Sequence, residues 1–118
     1  MVFVCYPKCS TCQKAQKYLD GIGVSYEIRH IKDEKPSRSE LEAWRQKSGL
    51  PLKRFFNTSG LQYRALALRD KLPTMSDTEM LDLLASDGML VKRPILVKED
   101  AVLVGFKEND WESVLSDD

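Results

Sequence analysis

Two cysteines three positions apart, in the stretch Tyr6-Pro7-Lys8-Cys9-Ser10-Thr11-Cys12, are the residues of this 118-residue chain whose type and spacing can do covalent chemistry. A thiolate is a nucleophile, and a second thiol about one helical turn away lies within disulfide reach of the first. Such a pair can cycle between dithiol and disulfide. Its setting supports this use. Met1 to Tyr6 is a short apolar run that reads as a strand, Pro7 and Lys8 interrupt it, and a helical pattern then opens at Cys9. Ala15, Tyr18, Leu19 and Ile22 recur at i, i+3, i+4 and i+7, which predicts one apolar stripe on that helix. The unpaired N–H groups and positive dipole end at a helix start favour an anion, so a Cys9 thiolate is expected to be stabilised. Lys8 adds a neighbouring cation, and Ser10 and Thr11 supply a tight turn and hydroxyl donors.

Competing readings of these residues are weaker. An inert pair, or an idle disulfide, is at odds with an exposed helix start, because structural cysteines are ordinarily buried. Zinc would need four ligands, and the candidates are Cys5, Cys9, Cys12 and His30, with no second C-x-x-C pair. No metal is therefore expected. Cys5 reads as a small core residue of the first strand, and His30 as a strand-end histidine.

The chain is long enough for one domain with its own core and too short for two. Lys plus Arg and Asp plus Glu both number 18, so net charge argues for neither nucleic acid nor an acidic partner. No apolar run approaches the roughly 20 residues of a membrane span, and the start lacks the form of a signal peptide. A cytoplasmic address is the expectation. Three clustered cysteines do not make a secreted disulfide framework, whereas one C-x-x-C in a reducing compartment suits redox chemistry.

The remaining elements must position the pair. Val24 to Arg29 alternates apolar and polar, which predicts a strand with one buried face after a helix stopped by Gly21 and Gly23. Ser37-Arg38-Ser39-Glu40 and Ser76-Asp77-Thr78-Glu79 have the form of capping boxes heading two helices, the first ended by Gly49 and the second stopping before Gly88. Between them lie short helical pieces split by Asn57-Thr58-Ser59-Gly60, a run that reads as a cap and turn. Arg93 to Lys98 and Ala101 to Val104 predict an antiparallel hairpin, and a last helix from about Lys107 to Asp110 onward buries Trp111, Val114 and Leu115. The expected architecture is α/β: a four-stranded mixed sheet flanked by helices, one domain over 1–118, with a helical insert at about 37–88 between βαβ and ββα halves.

A C-x-x-C at the end of the first strand, with Pro94 heading the third, resembles the thioredoxin fold. Tyr6 to Cys12, Phe55-Phe56-Asn57-Thr58-Ser59-Gly60 and Leu90-Val91-Lys92-Arg93-Pro94-Ile95 together resemble the arsenate-reductase-like (ArsC) family, which includes the Spx and MgsR regulators. The resemblance covers essentially the whole chain. It implies a cis Pro94 facing the dithiol, Cys9 as attacking thiol, Cys12 as resolving thiol and Arg93 as partner of an anion or thiolate. It implies no bound cofactor, with an external reductant of the glutathione/glutaredoxin or thioredoxin type. Glutaredoxin-linked arsenate reductases also use an arginine in the insert and another after the last strand, where this chain has Asn57 and Phe106 or Lys107. Arg64 and Lys107 are the substitutes to hand, but a lysine lacks the planar fork that suits an oxyanion. Arsenate is thus the less favoured substrate. The alternative implied by the resemblance is an Spx-like redox-sensing regulator that binds RNA polymerase, with neither direct nucleic-acid binding nor membrane attachment.

Overall fold

The computed structural model describes residues 1–116. Four strands form one mixed sheet in the order β2-β1-β3-β4, with β1 at Val2–Cys5, β2 at Glu27–His30, β3 at Ile95–Val97 and β4 at Val102–Val104. β1 runs parallel to β2, with Val2 opposite Glu27 and Cys5 opposite His30, and antiparallel to β3, with Val4 opposite Ile95. A βαβ unit and a ββα unit thus meet along one central strand.

Because alternate residues of a strand face opposite sides, β1 feeds two separate cores. Phe3 and Cys5 join Leu96 of β3 and are covered by α1 (Ser10–Ile22), through Cys12, Ala15 and Leu19, and by α6 (Glu108–Leu115), through Trp111 and Leu115. Val4 and Ile95 face the other way. There they meet Leu41 and Trp44 of α2 (Arg38–Ser48), Phe55 and Phe56, and Leu81 and Leu84 of α5 (Asp77–Ser86). The helical section completes this side with two short helices, α3 (Leu61–Ala65) and α4 (Leu68–Lys71). Both capping boxes form: Ser37 accepts from the Glu40 N–H and Ser76 from the Glu79 N–H, each at 3.1 Å, while each glutamate accepts from its serine's N–H.

Three local expectations are corrected. The stripe on α1 runs through Cys12, Ala15 and Leu19, while Ile22 is 45 % exposed in the last turn, so Cys12 itself is a core position. Gly21 lies inside α1, and Gly23 alone caps it. The second strand begins three residues later than its alternation suggests, and its Ile28 is 48 % exposed because β2 forms the sheet edge beyond β1. Tyr26, just before the strand, instead packs edge-on against Phe3 with centroids 5.7 Å apart.

Gly88 does something other than stop a helix. α5 ends at Ser86, Asp87 accepts the Met89 N–H at 2.9 Å, and a 3-10 turn over Gly88–Leu90 leads toward Arg93. A Cβ on Gly88 would lie 1.9 Å from the Ile31 carbonyl oxygen. Gly88→Ala must therefore push two backbone segments apart, at a cost of about 1–3 kcal/mol, to be read from denaturant unfolding.

Arg29 of β2 ties the sheet edge to α2. Its guanidinium donates to both carboxylate oxygens of Glu40, at 2.6 and 2.9 Å, and lies 5.8 Å from the Trp44 ring centroid. Those hydrogen bonds, aided by the Ser37 N–H and opposed by partial burial, hold the Glu40 carboxyl down at about 2 against an ordinary 4.5. A depressed folded-state value means stability that is present above the unfolded value and lost as pH falls toward the folded one. Glu40→Gln, which keeps the capping-box geometry, is therefore expected to be less stable than the parent near neutral pH. The gap should close as the pH of unfolding measurements falls from 4.5 to about 2.

Candidate active site

At the end of β1 the Cys9 N–H donates to the Tyr6 carbonyl at 2.9 Å, closing the turn that carries the chain into α1. This places Cys9 at the N-cap with extended backbone, next to the free N–H groups of the first turn. Burial by itself would push the Cys9 thiol up. Against this, the pull of the Cys12 N–H, the Cys12 thiol and the Thr11 N–H, with the positive charge of Arg93, holds it below its ordinary value.

Cys12, one turn deeper and 2 % exposed, behaves oppositely. Burial is the main cause that pushes its thiol up to about 12. The Tyr6 N–H, donating to its sulfur at 3.4 Å, opposes this, while the charge on Cys9, the hydrogen bond to Cys9 and nearby Cys5 add to it. Cys5 is also raised, by burial and then by Cys9. All three cysteines are unbonded thiols, and among the described residues no group of His, Cys, Asp or Glu is arranged to hold a metal ion.

Beside Cys9 opens a cleft of about 790 Å³. Its back is Arg93, whose bond to Pro94 is cis. The guanidinium lies 5.2 Å from the Tyr6 ring centroid and its Nη1 donates to the Met89 and Val91 carbonyls at 3.3 Å each, fixing its orientation. Its Nε is buried and without a partner among the described residues, which leaves donor capacity for a bound anion. Pro94 is buried behind it, and its carbonyl accepts the Gly105 N–H at 2.8 Å. Gly105 has φ +76, and the Lys92 side chain crosses close to its Cα, where a Cβ would meet Cε at 3.0 Å.

The opposite wall comes from the helical section. The Lys92 N–H donates to Phe55 O at 2.7 Å, the Asn57 N–H donates to Leu90 O at 2.8 Å, and Phe56 bridges Val91. This short pairing brings Arg54 and Asn57 to the cleft. A 3-10 turn over Leu52–Phe55 buries Leu52 and Phe55, so Arg54 between them points outward. Of the residues the sequence singles out, Lys8, Cys9, Ser10, Thr11, Asn57 and Arg93 line the cleft and Cys12 lies beneath it. Arg64, the arginine expected to stand in for a missing one, is exposed and does not line it, whereas Arg54 does. Lys92 and Lys107 line it as well. The signal for Arg54 and Lys92 was their place beside Phe55 and Arg93, which becomes meaningful only once those segments pair.

The sequence profile of the ArsC family matches residues 5–114, from Cys5 in β1 into α6. The chain belongs to the ArsC family. A solved structure of an ArsC-family-related protein from Bacteroides fragilis superposes with a TM-score of 0.94 at 53 % identity, over 96 % of this chain and 95 % of that one. The family's thioredoxin-like fold is therefore the fold of this chain, as the resemblance carried by the C-x-x-C and Pro94 implied. YusI of Bacillus subtilis is 53 % identical over 95 % of both chains. Similarity at a lower level reaches the regulatory protein MgsR of the same species, 26 % identical over 93 % of this chain and 86 % of MgsR. It also reaches an arsenate reductase of Rhizobium meliloti, 30 % identical over 77 % of this chain and 64 % of that enzyme. No helix among the described residues is long and apolar enough to cross a membrane.

Alkylation by iodoacetamide as a function of pH tests the asymmetry of the pair. Cys9 is expected to react with a midpoint below that of an ordinary thiol, and Cys12 to stay unreactive over the same range. Cys12→Ala, which removes one donor to the sulfur, and Arg93→Gln, which removes the nearby charge, should each move the Cys9 midpoint upward. Unshifted, equal titrations of both cysteines would contradict the hydrogen-bond account.

Proposed function

We propose that this chain is a thiol–disulfide oxidoreductase in which Cys9 attacks and Cys12 resolves. The observation that carries the reading is the arrangement at the start of α1: Cys9 stands at the N-cap on the wall of a cleft that Arg93 also lines, and Cys12 is buried one turn below it. The thiol that must act second lies one helical turn from the one that acts first, within the reach of a disulfide.

The chemistry balances as two exchanges. The Cys9 thiolate attacks one sulfur of a substrate disulfide, a Cys9–S bond forms, the substrate S–S bond breaks, and one substrate thiolate leaves. Attack removes the negative charge on Cys9, and with it one cause of the reluctance of Cys12 to ionise. Cys12 gives its proton to the departing thiolate and attacks the Cys9 sulfur, the Cys9–substrate S–S bond breaks, and the second substrate sulfur leaves as a thiolate that takes a proton from water, leaving a Cys9–Cys12 disulfide. Two electrons have passed from the protein dithiol to the substrate. An external thiol, glutathione with a glutaredoxin or a thioredoxin-type dithiol, restores the dithiol in the reducing compartment this chemistry suits. No bound cofactor is required.

Likeness to an arsenate reductase supports an oxyanion as a competing substrate, with Arg93 at the cleft base. Among the described residues two guanidiniums line the cleft, the exposed Arg54 and Arg93, whose Nη1 is engaged by two carbonyls while its Nε stays open, so bidentate grip on a small oxyanion is limited. Likeness to MgsR supports the regulatory alternative, an Spx-like response to oxidation read out by RNA polymerase.

NADPH consumption coupled through glutaredoxin separates these readings. Turnover is expected with a mixed-disulfide substrate and little with arsenate; Cys9→Ser should abolish it, and Cys12→Ser should accumulate a mixed disulfide on Cys9 visible by mass spectrometry. No turnover with either substrate, together with oxidation-sensitive capture of RNA polymerase subunits, would move the assignment to the regulator.

A further inference from the structure

Disulfide exchange does not require the charge pattern found beside Cys9. The whole chain balances 18 cationic against 18 anionic residues. Among the described residues, those lining the cleft nevertheless include Lys8, Arg54, Lys92, Arg93 and Lys107 and neither Asp nor Glu. Ion pairs among the described residues join Arg29 to Glu40, Arg38 to Asp82, and Arg45 to Glu42 and Asp77, all on other surfaces. Arg93 is held by Tyr6 and two carbonyls, and Lys92 lies half-buried over Gly105. Lys8, Arg54 and Lys107 are exposed, and they come from three separate segments: the turn after β1, the helical section, and the residue before α6. Three elements converging on one sign of charge make a cleft that attracts an anion over a distance and not only on contact.

Size and polarity narrow the anion. At about 790 Å³ the cleft is far larger than a tetrahedral oxyanion, and its outer wall continues through Asn57, Ser59 and Gly60 to Leu61. Leu61 is 82 % exposed, the most exposed of the large apolar side chains found at the surface. A basic cleft of this extent, with an apolar side chain at its rim, has the room and the mixed lining that suit a segment of polypeptide better than an ion.

Resting on the oxidoreductase reading above, we propose that the cleft selects disulfides carried on acidic polypeptide segments, whose carboxylates beside the reacting cysteine are held by Arg54 and Lys107 and whose apolar neighbour rests on Leu61. The exchange is the one already written, with both electrons supplied by the Cys9–Cys12 dithiol and both substrate sulfurs released as thiols. The charged walls raise the rate of encounter, and the two-cysteine chemistry is unchanged.

The test is single-turnover reduction by pre-reduced protein of three symmetrical pentapeptide disulfides whose cysteine is flanked by glutamates, by glutamines or by lysines, followed by quenching and chromatography. The glutamate peptide is expected to react about tenfold or more faster than the lysine peptide at low salt, and the ratio should shrink as salt screens the charges. The double variant Arg54→Gln/Lys107→Gln should narrow that ratio, whereas Lys47→Gln, an exposed cation at the far end of α2, should not. Equal rates for all three peptides would overturn the selectivity and leave the oxidoreductase reading standing. Equal narrowing by Lys47→Gln would assign the effect to overall charge and overturn the role of the cleft. A small carboxylate-bearing disulfide, dithiodisuccinate, reacting as fast as the glutamate peptide would overturn the polypeptide part. Absence of reaction with every disulfide would overturn the oxidoreductase reading and this inference with it.

Discussion

One sulfur atom placed at the N-terminal end of α1, beside the unpaired N–H groups of its first turn, is the constraint on which the site depends. Those N–H groups have no partners within the helix, so a negative charge placed there satisfies them without displacing anything. To deliver Cys9 to that point the chain needs β1 fixed on both faces, a turn closed by the Cys9 N–H to Tyr6 bond, and a helix whose buried stripe begins at Cys12. The same helix therefore sets two cysteines apart. It offers donors to Cys9 and burial to Cys12, which leaves one poised to ionise and the other to wait.

Much of this was written in local sequence. Capping boxes at Ser37 and Ser76 and the β-rich hairpin near Pro94 are signals within a few residues, and the folded chain keeps them. What local pattern could not supply is anything decided by distant neighbours. Ile28 looks like a buried position because it alternates correctly, yet only the sheet order places its strand at the edge. Gly88 looks like a helix stop because glycine often is one, but what requires glycine there is the Ile31 carbonyl, 57 positions earlier in the chain. The cysteine pair and Arg93 were legible from type and spacing. Arg54 was not, since its approach to the cleft depends on a pairing between residues some 35 positions apart.

Relatives bearing different names share this framework. The two cores explain how that is possible. Phe3, Cys5, Cys12 and Trp111 hold the dithiol from one side of the sheet, while the helical section packs on the other through Trp44, Phe55 and Leu84. Residues that set the reactivity of the sulfur and residues that set what reaches it thus lie in different packing environments, and substitutions in one leave the other's contacts largely in place.

The pairing of 55–57 with 90–92 has a mechanical side. The Phe55 carbonyl and the Asn57 N–H are bonded to the strip of chain that ends at Arg93, so the outer wall and the backbone that carries the guanidinium are stitched to each other. A substitution that broke this pairing would therefore loosen the wall and the run of chain leading to the guanidinium together.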